Sequence, residues 1–137
     1  MSVNLEEYRP TYDEPFMNER QVDYFRRKLV DWKEDIVRES KCTLNQLAEE
    51  NNQLPDIADR ASSETDKALE LRTRDRQRKL IAKIDAAIRR INAGEYGYCE
   101  ETGDPISLER LEARPIATLS LEAQERHERK EKVHRDD

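Results

Sequence analysis

Of 137 residues, 41% are charged and 35% hydrophobic, and the net charge is −6. So small an apolar share excludes an ordinary compact globule of this size. It leaves disorder or long helices that each bury a narrow stripe, and a total of 3 glycines favours the helices.

The acidic balance argues against nucleic acid as the main partner, because phosphate neutralisation needs a basic excess. No apolar run reaches the roughly 18–20 residues needed to span a bilayer. The opening residues Met1 to Glu7 show no basic segment followed by an apolar stretch, so no export signal is expected. Cys42 and Cys99 then read as reduced thiols of a cytoplasmic protein.

Residues 1–17 carry Pro10 and Pro15 among Tyr8, Tyr12 and Phe16, which predicts an irregular arm held by its aromatics. A helix is expected from Asn18, a good N-cap, with Gln21 placed to complete a capping box. Val22, Phe25, Leu29, Trp32 and Ile36 then follow the alternating three–four rhythm of a coiled coil. Pro55 ends this segment, since the residue before a proline avoids the helical region. A second helix is expected from near Asp56 or Asp59 to Ala93, with Gly94 just past its end.

Folding the two helices back on each other sets Trp32 opposite Leu80, Leu29 opposite Ile84, Phe25 opposite Ile88 and Val22 opposite Ile91. One common register satisfies all four pairs, as an antiparallel hairpin requires. The apolar seam lies at the open end and the part near the tip is polar, a design suited to projecting into a partner. After Gly94, turn-rich segments such as Tyr96-Gly97-Tyr98-Cys99 predict a small knob with short strands, and Ser107 is placed to cap a short helix. A highly charged final helix is expected from about Thr118.

The fold class is therefore mainly α: a long antiparallel coiled-coil hairpin, a small degenerate zinc-ribbon-like knob and a C-terminal helix. The expected segments are an arm over 1–17, a hairpin over 18–93 with its tip at 54–61, a knob over 94–117 and a C-terminal helix and tail over 118–137.

Three features bear on function. Asp56 and Asp59 sit at the tip, where acids either cap the second helix or carry carboxylates into a partner's cleft. Arg72, Arg74, Arg76, Arg78, Lys79 and Lys83 are either a solvated face paired with acids such as Asp35 and Glu39, or a surface for an acidic protein or a phosphate. Such isolated cations contact phosphate without reading bases, so sequence-specific DNA binding is not expected. Finally, Cys99 stands where a zinc ribbon would begin. Such a site needs two C-x-x-C pairs about 15–20 residues apart. Here Thr102, Ser120 and Ala123 occupy the other three places, and His127 and His134 come late in the final helix. No structural metal is expected on that ligand count, and the knob should hold by packing of Tyr96, Tyr98, Ile106, Leu108, Leu111 and Leu119. No phosphate loop, nucleophile elbow or HExxH motif indicates an enzyme.

Over nearly its whole length the chain resembles the DksA family. Phe16-Met17-Asn18-Glu19 and Phe25-Arg26-Arg27, the tip Asp56-Ile57-Ala58-Asp59-Arg60-Ala61, Leu69-Glu70-Leu71-Arg72 with Arg74-Asp75-Arg76, Tyr96-Gly97-Tyr98-Cys99 and Leu111-Glu112-Ala113-Arg114-Pro115 carry the likeness. The resemblance implies a transcription regulator of the stringent response that enters the secondary channel of RNA polymerase tip first. Asp56, Asp59 and Ala61 would approach the active-site elements. Open complexes would be destabilised, repressing ribosomal RNA promoters and activating some biosynthetic ones. The alarmone ppGpp would act at a site shared with polymerase, here Leu80, Lys83 and Arg114. A further basic position of that site falls on Gln124, which removes a phosphate contact. Of the family's four zinc cysteines only Cys99 remains, as in a cysteine-poor, metal-free branch. The alternatives are a Gre-like transcript-cleavage factor and a coiled-coil adaptor whose tip only caps a helix. A monomer is expected, because the hairpin consumes the heptad seam within one chain.

Overall fold

The computed structural model describes residues 8–51 and 57–136, with side chains described for residues 8–42, 45 and 64–133. Among the described residues the elements are α1 (Glu19–Asn51), α2 (Ile57–Asn92), α3 (Leu108–Ala113) and α4 (Leu121–Asp136). The chain divides into two units, Met1–Leu29 with Ala86–Asp137, and Val30–Asp85. Both α1 and α2 contribute to each unit.

The start of α1 is fixed by side chains that replace missing helical partners. Asn18 Oδ1 accepts the Gln21 N–H at 2.9 Å. Gln21 Oε1 in turn accepts the Met17 N–H at 2.8 Å, one residue before the expected reciprocal partner. Gln21 Nε2 also donates to the Thr11 carbonyl at 3.0 Å. This buried amide is therefore satisfied, and it ties the arm to the helix. The end of α2 closes through the Gly94 N–H on the Ile91 carbonyl (3.1 Å) and the Glu95 N–H on the Arg90 carbonyl (2.9 Å). That pair of bonds is a Schellman closure, and the φ of 76° at Gly94 explains why glycine stands there.

Within Val30–Asp85, Lys33 pairs with Asp85 (2.7 Å) and Ser40 Oγ donates to Gln77 Oε1 (2.7 Å). Rising numbers on α1 meet falling numbers on α2, so the helices form an antiparallel hairpin. The pairing is offset by four to six residues, somewhat more than one helical turn, from the expected register, which set Trp32 opposite Leu80. Apolar residues spaced by three and four fit one another equally well after such a shift, whereas an ion pair and a Ser–Gln bond do not. Phe25, Leu29, Ile36, Ile84, Ala87 and Ile91 are buried, while Leu69 and Leu71 are exposed, which keeps the apolar seam away from the tip.

In the first unit the knob packs on Tyr96, Cys99, Ile106, Leu108, Leu111, Ala117 and Ala123, all buried. Tyr98 and Leu119, expected with them, are half-buried. The expected short strands reduce to one isolated bridge, Tyr98 with Pro105. Pro105 has no N–H with which to extend a ladder. Ser107 accepts the Arg110 N–H (3.2 Å) as the N-cap of α3. The helix expected from about Thr118 begins at Leu121, because the Ser120 hydroxyl caps it by accepting the Ala123 N–H (3.3 Å). Thr118 faces the other way, with its carbonyl accepting the Glu100 N–H (2.8 Å).

Burial predicts where substitutions hurt. Ile84→Ala removes a fully buried side chain and is expected to cost about 2–5 kcal/mol in urea unfolding. Leu71→Ala, at a residue 58% exposed, should stay within about 0.5 kcal/mol. Equal costs at the two positions would contradict the seam.

Candidate functional site

The expected tip residue Asp56 lies outside the described residues. Asp59 and Ala61 fall in the opening turns of α2, which starts at Ile57. A carboxylate in that position is favoured by the positive end of the helix dipole. The same dipole acts whether or not the acid has a second role in a partner.

Further along α2 lie Leu80, half-buried, and Lys83, exposed. Being three residues apart they are neighbours on the helix surface. Of the basic stretch, Lys79 pairs with Asp75 on its own helix at 3.2 Å. The pairing expected with the first arm is not what Asp35 does: it binds Arg38, also on its own helix. Arg72, Arg76, Arg78 and Lys83 are exposed and without an ion pair among the described residues. They form a cationic surface with spare donors.

Arg114 belongs to the other unit, at the C-terminal cap of α3, where its N–H donates to the Arg110 carbonyl at 2.7 Å. Its side chain is exposed while its backbone is held from both sides. The next residue, Pro115, is buried and its carbonyl accepts the Tyr96 hydroxyl at 2.7 Å. Burial raises the pKa of Tyr96, so the hydroxyl keeps the proton it donates. Lys28 donates to both the carbonyl (2.9 Å) and the carboxylate (2.6 Å) of Glu112. Leu111 to Pro115 is thus a fixed presentation of one free guanidinium. Gln124 shares an amide contact with Glu128 at 3.3 Å and supplies no cation.

The degenerate metal site can be tested against its donors. Cys99 is buried and its sulfur accepts hydrogen bonds. Burial pushes its pKa up, but the Thr102 hydroxyl and the N–H groups of Ser120, Thr102 and Glu101 outweigh that and bring it from 9.0 to about 6. The Thr102 hydroxyl is engaged a second time by the Asp104 N–H at 3.2 Å. The Ser120 hydroxyl is committed to capping α4, and Ala123 has no donor atom. His127 pairs with Glu101 at 2.5 Å. One sulfur and two engaged hydroxyls do not fit the four ligands of structural zinc. No group of three or more His, Cys, Asp or Glu suited to a metal occurs among the described residues.

Comparison with known proteins now decides the family. Residues 21–91 match the model of the N-terminal domain of DnaK suppressor protein DksA, and residues 94–129 match the prokaryotic dksA/traR C4-type zinc finger. The chain belongs to the DksA family. It is 67% identical to the RNA polymerase-binding transcription factor DksA of Caulobacter vibrioides, covering 98% of this chain and 95% of that one. Identity to the Escherichia coli K12 factor of the same name is 40%, over 95% of this chain and 86% of the relative. The structure of transcription factor DksA2 from Pseudomonas aeruginosa superposes with a TM-score of 0.81 at 38% identity, covering 93% and 95% of the two chains. The C4-type model is thus matched by a DksA-family chain with 2 cysteines in all.

Sequence reasoning missed side chains that hold this site together: Arg90 and Arg110 bind backbone carbonyls, Tyr12 binds both Glu109 (2.6 Å) and the Leu108 N–H (3.0 Å), and Gln21, read only as a capping partner, also binds the Thr11 carbonyl. The only available signal was position, because Arg90 lies in the last turn of a helix ending at a glycine.

The folded Cys99 pKa lies below the unfolded one. Its thiolate therefore adds stability fully above about pH 9, and that contribution is lost as pH falls through about 6. In a Cys42→Ser chain, ultraviolet thiolate absorbance is expected to grow in near pH 6, and Thr102→Val should move it upward. Titration of both chains at an ordinary thiol value would contradict the donor set around the sulfur.

Proposed function

We propose that this chain is a transcription regulator that binds RNA polymerase directly and enters its secondary channel with the α1–α2 end of the hairpin leading. The observation that carries the reading is the end-to-end likeness to relatives named RNA polymerase-binding transcription factors, at 67% identity over 98% of this chain. Asp56, Asp59 and Ala61 reach toward the polymerase active site and destabilise open complexes. The exposed cations of α2 dock on an acidic protein surface, which suits a chain whose net charge is −6 and which has no basic excess for DNA.

Leu80, Lys83 and Arg114 contribute to a ppGpp site completed by polymerase, so ribosomal RNA and biosynthetic promoters respond together with the alarmone. The chain works in the cytoplasm as a monomer and performs no chemistry itself. No helix among the described residues is long and apolar enough to cross a membrane. The knob keeps its fold without zinc, supported by the poor fit of Thr102, Ser120 and Ala123 to a metal.

Open-complex lifetime at a ribosomal RNA promoter tests this reading. The native chain is expected to shorten it, and Asp59→Asn is expected to bind polymerase equally well without shortening it. Unchanged activity of the Asn variant would make the tip a helix cap only, and stimulated cleavage of backtracked RNA would favour the Gre-like alternative. Gln124→Lys is expected to strengthen the ppGpp effect by restoring a phosphate contact. An unchanged ppGpp response would remove that position from the site. Activity should also survive chelation, and its collapse would overturn the metal-free reading.

A further inference from the structure

Two turns of the knob need fastening to each other. The first carries Cys99 and Thr102, and the second carries Ser120 and Ala123. In a four-cysteine ribbon a single ion joins such turns through Zn–S bonds of about 2.3 Å. The donors here do not fit that ion, yet Cys99 and Ala123 are buried and the turns are closely joined. The Ser120 N–H reaches the Cys99 sulfur, and the Glu100 N–H reaches the Thr118 carbonyl at 2.8 Å.

Each turn is also held from outside by a guanidinium. Arg90, in the last turn of α2, donates from Nη2 to the Tyr98 carbonyl at 2.8 Å. Its Nη1 pairs with Glu100 at 3.3 Å, and its side chain is only 16% exposed. Arg90 therefore grips the residues immediately before and after Cys99. Arg110, on α3, donates from Nε to the Leu119 carbonyl at 2.9 Å, immediately before Ser120. Charged donors on carbonyls make stronger hydrogen bonds than neutral ones, and the planar fork of arginine fixes direction as well as distance.

We propose that Arg90 and Arg110 are positioning residues that take over the cross-linking task of a metal ion, each holding one of the two turns at the spacing a four-ligand site would impose. They act on the backbone beside the places where a four-cysteine ribbon carries its ligands. The proposal concerns the fold of the knob and stands apart from the reading of the tip, so its readout is structural rather than promoter activity.

A cycle between arginine and metal tests it. One chain is native. The other carries Thr102→Cys, Ser120→Cys and Ala123→Cys and is loaded with zinc. Arg90→Ala and Arg110→Ala are placed in each, and amide hydrogen exchange over residues 98–120 is compared with zinc content. The four-cysteine chain is expected to take up one zinc. In the native chain each alanine variant should speed exchange in the knob by about tenfold or more, with only partial recovery in Arg90→Lys, which keeps the charge but not the fork. In the zinc-loaded chain the same variants should change it by less than about twofold, because the ion already supplies the restraint. If alanine unfolds the knob of the native chain outright, refolding in the zinc-loaded chain supports the proposal and failure to refold overturns it. Equal acceleration in both chains would show that the arginines do a different job from the ion. No acceleration in either would show that they hold nothing. A four-cysteine chain that takes up no zinc would show that the turns are not held at ligand spacing. Each of these three results overturns the proposal.

Discussion

The first unit depends on the burial of one aromatic ring. Phe25, at 0% exposure, packs against Tyr96 with ring centroids 5.7 Å apart and against Tyr24 at 5.2 Å. Full burial of such a side chain contributes about 1.5–3 kcal/mol. Its second effect is to fix direction. Tyr96 follows the turn at Gly94, so the ring that seats α1 also seats the chain leaving α2. The Tyr96 hydroxyl then holds the Pro115 carbonyl at 2.7 Å, and Arg114 is presented beside it. One apolar contact thus reaches, through a single hydrogen bond, the backbone beside Arg114.

The glycine at position 97 serves the same packing. Its φ is 92°, and a Cβ there would meet Met17 Cγ at 2.9 Å. The arm approaches the knob at that point, and Phe16 lies edge-on to Tyr98 with centroids 5.5 Å apart. Tyr12 completes the attachment by satisfying the Leu108 N–H at the start of α3. The arm therefore supplies hydrogen-bond partners that a short helix cannot provide for itself. The knob gains from each of these ties, because a domain this small has little core to draw on.

Helix ends were the most legible part of the sequence, since they are set by local chemistry. Asn18, Gly94 and Ser107 each do in the structure what their residue types imply. Register was less legible, because Val22, Phe25, Leu29 and Ile84 carry spacing but no polarity, and spacing repeats every turn. Polar pairs, Lys33 with Asp85, Ser40 with Gln77 and Arg26 with Asn92, distinguish one offset from the next. The environment of Cys99 was illegible for another reason. Three of its four hydrogen-bond donors are backbone N–H groups, which every residue but proline carries, so no residue type announces them. Arg90 and Arg110 were hidden by composition: in a chain with 25 Lys and Arg, two that point at carbonyls look like the rest. The missing zinc ligands, by contrast, were plain at Thr102, Ser120 and Ala123, because metal binding needs specific side-chain atoms.

The central claim is that the hairpin enters polymerase tip first while the knob stays outside. Photo-crosslinking from single positions in the complex with RNA polymerase tests it most directly. A crosslinker in place of Asp59 is expected to label polymerase segments beside the catalytic centre, while one in place of Ser107 labels only the rim of the channel. Labelling of the outer surface or of DNA from position 59, or of the catalytic centre from position 107, would contradict the account.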